Sequence, residues 1–194
     1  GVDYSAFYVT TKNRQLARFA ESGMGRVTVN AGRSRSIGAE VALRAEPLLD
    51  RLILQATYGY THATLVEHNL GEQNGVVIDY SGNRVPFAPE HTFSANATYR
   101  QPLRTRVLRA VHVGLGTYGA GRIYWDEANT FEQPFYAQLQ ARVGVEFPAD
   151  VKFEIIGHNL TNTRFTTFAF DSMDRRFAQY SNPFHLEMKL GWHF

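Results

Sequence analysis

The strongest constraint on this chain is a two-residue alternation of apolar and polar side chains that recurs along it and runs to the last residue. From Pro183 the chain reads Phe184, His185, Leu186, Glu187, Met188, Lys189, Leu190, Gly191, Trp192, His193, Phe194, with large apolar residues at every even position. Successive side chains on a strand point to opposite faces, so this segment has one apolar and one polar face. An antiparallel sheet over a soluble core gives the same pattern, so a single strand decides nothing.

Counting alternation gives eight candidate strands. They fall near 3–13, 36–45, 51–61, 92–100, 111–118, 135–147, 151–158 and 184–194. The sixth is the cleanest internal one: Phe135, Ala137, Leu139, Ala141, Val143, Val145 and Phe147 oppose Tyr136, Gln138, Gln140, Arg142, Gly144 and Glu146. The connections alternate in length. Brief turns fall near 47–50, 101–105 and 148–150, and long segments near 19–31, 67–89, 121–133 and 163–182. Short turns at one end and long loops at the other characterise outer-membrane barrels, and most of the strands reach the 9–11 residues that a tilted crossing needs. Tyr58, Tyr60, Tyr99, Phe147, Trp192 and Phe194 lie near the ends of apolar stripes, where girdle residues meet the lipid–water boundary.

Alternation does not distinguish a membrane barrel from a soluble one with its faces exchanged; loop sorting and the aromatic positions favour the membrane. The expected fold is all-β, an antiparallel transmembrane β-barrel of about eight up-and-down strands. It forms one domain over residues 1–194, either as a segment of a larger barrel or as a small closed one. The expected orientation turns Leu186, Leu139 and Val143 toward hydrocarbon and Lys189 and Arg142 inward.

Composition narrows the function classes. Twenty basic against 18 acidic side chains, with no basic block, give nucleic-acid binding little support. Fourteen Phe, ten Tyr and 16 Gly favour strands and tight turns. The absence of cysteine excludes disulfides and thiolate metal sites within the chain. No run of 18 apolar residues provides a spanning helix. The chain opens at Gly1 with no leader pattern, as a mature product or an excised piece does.

Four stretches resemble one family. Asn30-Ala31-Gly32-Arg33-Ser34-Arg35-Ser36-Ile37-Gly38-Ala39-Glu40 is similar to the Asn-Ala-Gly…Gly-Val-Glu strand entry of TonB-dependent outer-membrane receptors. Gly82-Asn83-Arg84-Val85-Pro86-Phe87-Ala88-Pro89-Glu90-His91-Thr92 resembles that family's Gly-x-Arg-x-Pro-x-x-Pro-x-x-Thr segment. Asn159-Leu160-Thr161-Asn162-Thr163-Arg164-Phe165 resembles its motif after the penultimate strand. Trp192 and Phe194, on the terminal alternating strand, look like the signal read by the barrel-assembly machinery.

The resemblance covers the C-terminal part of such a receptor. Full members carry a plug domain and a 22-stranded barrel, and this chain shows neither plug nor TonB box. The resemblance implies a bacterial outer-membrane location, contact with outer-membrane lipid, and part in TonB-dependent uptake of an iron chelate, siderophore or haem-like, or a similar scarce nutrient. Coupling to TonB would run only through the missing N-terminal part. The alternative is a small closed outer-membrane barrel with a structural or adhesive role.

The resemblance places ligand contacts on the long outer loops. The candidates are Tyr80, Arg84, Arg122, Tyr124, Trp125, Arg164, Phe168, Arg175 and Arg176, with Phe165 and Phe170 beside them. Arginines pair with anionic chelates and aromatics stack on their planar parts; the competing reading is that such residues pack the loops or bind lipopolysaccharide phosphates.

Other chemistry finds little support. No pair among the seven histidines has metal-site spacing on a recognisable element, His62 and His68 being the nearest to one. Glu187 and Lys189 read as an ion pair on one strand face rather than an acid–base couple. No Gly-x-Ser-x-Gly elbow is present, and the Gly114–Gly116 and Gly119–Gly121 pairs precede no helix pattern. The chain is expected to be no enzyme and to hold no cofactor or metal.

Overall fold

The structure is a computed structural model, and it describes residues 1–13, 15–19, 26–30, 32–47, 51–73, 75–103, 105–172 and 175–192. One eight-stranded antiparallel sheet runs through the chain: β1 (Val2–Lys12), β2 (Arg33–Ala45), β3 (Leu52–Glu67), β4 (His91–Pro102), β5 (Ala110–Ala120), β6 (Tyr136–Glu146), β7 (Val151–His158) and β8 (His185–Trp192). Each strand pairs with the next in sequence, and no ladder joins β8 to β1 among the described residues. The sheet is thus an open up-and-down meander.

All eight alternating segments are strands. β3 extends beyond its expected end at residue 61 to Glu67. Its outermost part has no β4 partner. Instead it pairs with the segment that precedes β4, through Leu65 N–H to Asn83 O at 2.8 Å, Val85 N–H to Ala63 O at 3.1 Å and Thr61 N–H to Glu90 O at 2.9 Å.

The long connections all lie at one end and are not plain loops. Each contains a two-stranded ribbon: Gln15–Phe19 with Arg26–Asn30, Asn69–Gln73 with Val76–Asp79, Ile123–Tyr124 with Glu132–Gln133, and Thr166–Ser172 with Arg175–Tyr180. Their strands are only two to seven residues long, too short for a two-residue alternation to stand out in the sequence. The opposite end has brief turns, such as Pro148–Asp150, where Ala149 and Asp150 adopt φ of 62° and 55°.

The sense of curvature follows from side chains that meet across an intervening strand. Strands two apart in a flat sheet are separated by about 9.5 Å. On the polar face, Arg142 Nη2 of β6 donates to Thr98 Oγ1 of β4 at 2.8 Å, above Gly114 of β5. His112 of β5 lies 3.1 Å from Glu154 of β7, above Gly144 of β6. Both spans depend on the glycine beneath: a Cβ at Gly114 would strike the Arg142 side chain, and one at Gly144 the His112 ring. Arg100 and Glu146 are also paired between β4 and β6. The polar face is therefore the concave one. The apolar face splays outward, with Leu186 59% and Val143 53% exposed. No dry interior gathers these side chains, as the expected orientation requires.

Aromatic residues mark both ends of the outer face. Toward the long connections, His91 lies 5.3 Å from the Tyr60 ring and hydrogen-bonds the Tyr58 hydroxyl at 2.8 Å, and Phe93 stacks on Phe135. Toward the short turns lie Tyr99 and Trp192, both exposed. The other half of the expected assembly signal, Phe194, lies outside the described residues.

Candidate functional site

Parts of the three long connections after β3, β5 and β7 fold over the concave side and pack together. Ala63 and Leu65 continue the inner-facing column of β3, and Val85, Tyr80 and Ala88 bury them. On β5 and β6 the inner-facing Ala120 and Tyr136 pack with Ile123, Trp125, Phe131 and Ala169. Phe87, between Val85 and Ala88 of the first cluster in the chain, carries its ring to the second, 5.6 Å from Trp125 edge-on and 5.8 Å from Phe168 in a stack.

Polar ties fix the geometry. Asp126 caps its own loop: one carboxylate oxygen accepts from the Thr130 N–H and hydroxyl, the other from Phe131 N–H at 3.0 Å. The loop then grips the 80–90 segment. Arg84 N–H donates to Asn129 Oδ1 at 2.7 Å, Asn129 Nδ2 donates back to Arg84 O, and Asn83 Nδ2 donates to Glu127 O. His68, only 2% exposed, places Nε2 2.7 Å from Glu127. The hairpin of residues 166–180 joins through Gln133 Oε1, which accepts from Thr166 N–H at 2.6 Å, and through Phe165 stacked 3.7 Å from Tyr136.

Two of the sequence motifs acquire physical reasons here. In the Gly82–Thr92 stretch, Gly82 has φ of 91° and Phe87 φ of 63°, so the chain turns back along β3 at Gly82 and directs the Phe87 ring toward Trp125 and Phe168. In the Asn159–Phe165 stretch, Asn159 and Asn162 both adopt φ of 50°. Asn159 Nδ2 donates to Thr163 O and Asn182 O at 3.0 and 2.8 Å, while its Oδ1 accepts from Thr163 N–H at 2.9 Å. Asn162 Oδ1 accepts from Phe184 N–H at the entry to β8.

The nine residues expected to touch ligand occupy different positions in this unit. Tyr80 and Trp125 are largely packed, and Phe168 is held between Phe87 and Phe170. Arg84 is a tie: its guanidinium donates to His62 Nδ1 and to Glu90. Arg122 is exposed, 3.2 Å from Glu132, with the Tyr124 hydroxyl beside it at 3.3 Å. Arg164 lies over the Tyr180 ring, and Arg176 over Phe131 while paired with Asp171. Arg175 is exposed at the hairpin's outer end. Hence packing fixes Trp125, Tyr80 and Phe168, whereas Arg122, Arg164, Arg175 and Arg176 are exposed, Arg122 and Arg176 with acidic partners.

His62 and His68 go to separate partners, and no group of three His, Asp or Glu residues suited to a metal occurs among the described residues. Sequence reasoning passed over Phe87, Asp126, Glu127, Asn129 and Gln133, which organise the unit. Asp126 works within its own loop, but the partners of the others are distant in sequence, 45 residues away for Asn129 and 33 for Gln133.

Glu90 supplies a pH test of this assembly. Burial pushes its carboxyl upward, but the Arg84 hydrogen bond and charge outweigh that and hold it below the usual value. A depressed folded pKa means that the stabilisation is complete above the usual carboxylate value of about 4.5 and is lost as pH falls through the lower folded value. Hydrogen exchange, corrected for intrinsic rate, is expected to show the Val85 and Phe87 amides protected at pH 6 and losing protection below that value. Arg84→Met should lower protection at pH 6 and flatten the profile; a wild-type profile that is itself flat would show that the pair does not hold the segment.

The whole arrangement, a concave polar sheet capped at its long-loop end, corresponds to a known family. A family model described as TonB dependent receptor-like, beta-barrel matches residues 1–170. The chain belongs to this receptor family. It is 28% identical over 146 residues to the probable TonB-dependent siderophore receptor PiuA of Acinetobacter baumannii, covering 74% of this chain and 19% of that protein. The crystal structure of PiuA superposes with a TM-score of 0.75 at 22% identity, covering 98% of this chain and 26% of that one. The ferric yersiniabactin uptake receptor FyuA of Yersinia pestis gives 0.75 at 21% identity, covering 96% and 26%. The ferric citrate transporter FecA in its unliganded form gives 0.70 at 19% identity, covering 97% and 28%.

The structural likenesses show the fold. The chain spans about a fifth of the length of the curated receptor and about a quarter of these solved receptors. These relatives are receptors and transporters rather than enzymes.

Proposed function

We propose that this chain is an arc of an outer-membrane barrel that takes up an iron chelate, with the outer connections forming part of the chelate-binding surface. The carrying observation is the capped concave face. Exposed arginines rim an aromatic cluster in which Trp125, 7% exposed, buries its Nε1 without a hydrogen-bond partner. A buried unpaired donor costs about 1–3 kcal/mol, so an aromatic cluster retaining one beneath a cationic rim suits an anionic, partly planar ligand.

The open β1 and β8 edges support an arc of a wider barrel over a small closed one, since unpaired strand edges are not tolerated in hydrocarbon. Outer-membrane lipid then covers the apolar face, the barrel-assembly machinery reads Trp192 and Phe194, and TonB acts through polypeptide outside this chain. The domain extends over residues 1–194, with no catalytic role and no resident cofactor.

Arg175 is the sharpest probe because its exposed side chain can be removed without opening a core. In the native polypeptide containing this chain, Arg175→Ala together with Arg122→Ala is expected to weaken binding of a ferric siderophore about tenfold or more, leaving heat-modifiable mobility in detergent unchanged. Unchanged affinity across ferric catecholate, hydroxamate and carboxylate chelates would remove the rim from the binding surface.

A further inference from the structure

Deeper on the concave wall, below the capping loops, lies a cavity of about 210 Å³. Asn96, Gln140, Arg142, His158 and Lys189 converge on it. Its floor is open because β5 presents glycine twice: Gly116 lies in register between Asn96 and Gln140, and Gly114 between Thr98 and Arg142. A Cβ at Gly116 would collide with the Asn96 amide and press on that of Gln140.

The charges here are unequally partnered. Glu187 already takes His158 Nε2 at 2.9 Å and Lys189 Nζ at 3.3 Å. Glu154, opposite Lys189 in the β7–β8 register, is engaged by His112. Arg142 reaches no carboxylate among the described residues and donates to the neutral Thr98 hydroxyl. A guanidinium has five N–H donors in a planar fork, so most of its capacity remains for whatever enters the cavity. The Asn96 and Gln140 amides, with no side-chain bond among the described residues, add donors and acceptors at hydrogen-bonding height.

From this juxtaposition we infer that the cavity is a carboxylate-binding site on the barrel wall, with Arg142 as its anchor and Asn96 and Gln140 fixing the orientation of the bound group. It rests on the reading of this face as the lumen. The carboxylate belongs either to a free anion in the lumen or to an acidic side chain of polypeptide filling it, and the chemistry of recognition is the same.

The test uses the native polypeptide containing this chain, purified in detergent, with iron-free radiolabelled citrate as probe. If the site takes a free anion, citrate binds the wild type, Arg142→Gln weakens it about tenfold or more, and Arg142→Lys, which keeps the charge but loses the fork, falls between. Arg109→Gln, at the short-turn end and paired with Asp150, should leave citrate binding intact.

If polypeptide fills the site, citrate does not bind. Arg142→Gln then lowers the thermal midpoint by several degrees more than Thr98→Val, which removes only the Arg142–Thr98 bond, and Arg142→Lys recovers part of the difference. Citrate binding that survives Arg142→Gln overturns the site. So does the absence of citrate binding together with equal midpoints for Arg142→Gln and Thr98→Val. Siderophore binding and heat-modifiable mobility, measured alongside, separate failure of this site from failure of the receptor reading.

Discussion

Leu115→Arg is expected to destabilise the folded sheet in lipid or detergent by about 2–4 kcal/mol, the cost of a cation at the middle of a lipid-facing barrel wall. Leu115 lies on the outer face of β5, paired with Ala97 and Ala141, and is 54% exposed. That exposure gives the test its force. On a water-facing surface, replacing a half-exposed leucine by arginine changes stability by about 0.5 kcal/mol or less. In hydrocarbon the same change carries a charge into a medium unable to solvate it. Gln55→Arg, on the concave face of β3, is the internal control and is expected to stay within about 0.5 kcal/mol. Urea unfolding of both variants in lipid vesicles measures the difference. Equal stabilities would mean that the apolar face does not meet lipid, and the membrane reading would fall with it.

The second large effect is expected from Asn159→Ala, at about 3–4 kcal/mol. Asn159 is almost fully buried between β7 and the final hairpin connection. Its side chain makes three hydrogen bonds to backbone groups of Thr163 and Asn182. Each is worth about 1 kcal/mol net, and alanine adds about 1 kcal/mol for the left-handed backbone at this position. Asn159→Gly relieves only the backbone part and should recover about 1 kcal/mol of the loss. Asn159→Asp keeps the acceptor for Thr163 N–H but turns an oxygen toward two carbonyls, so it should be no better than alanine. Thermal midpoints of the three variants, with exchange of the Thr163 amide, check the order. A midpoint for Asn159→Ala within 1–2 °C of wild type would mean that the turn is held by its flanking strands.

These cases show where legibility ended. Leu115 was readable because alternation is a local, period-two property: the pleat forces side chains to opposite faces whatever the distant chain does. The eight strands and the side on which each side chain lies follow from it. The Asn159 motif was visible as a resemblance, yet its reason was not, since the carbonyl of Asn182 approaches only when β7 and β8 pair. The ribbons beyond the membrane face were missed because each of their strands spans only two to seven residues, too short for alternation to stand out. The exposed arginines were identifiable as residue types, but nothing local separated Arg84, consumed by His62 and Glu90, from Arg175.

The sequence by itself determined an alternating eight-strand meander with short turns at one end, long connections at the other and an apolar face fit for lipid. Nearest neighbours along the chain and across a hairpin suffice for that. Only the tertiary structure decided which way the sheet curves, because curvature appears where Arg142 meets Thr98 and His112 meets Glu154, residues two strands apart, above a glycine on the strand between them. It also decided that the outer connections fold inward over the concave side, joined by Asn129, Glu127 and Gln133 to partners tens of residues away. Such contacts depend on the path of the whole chain, and no period in the sequence encodes them.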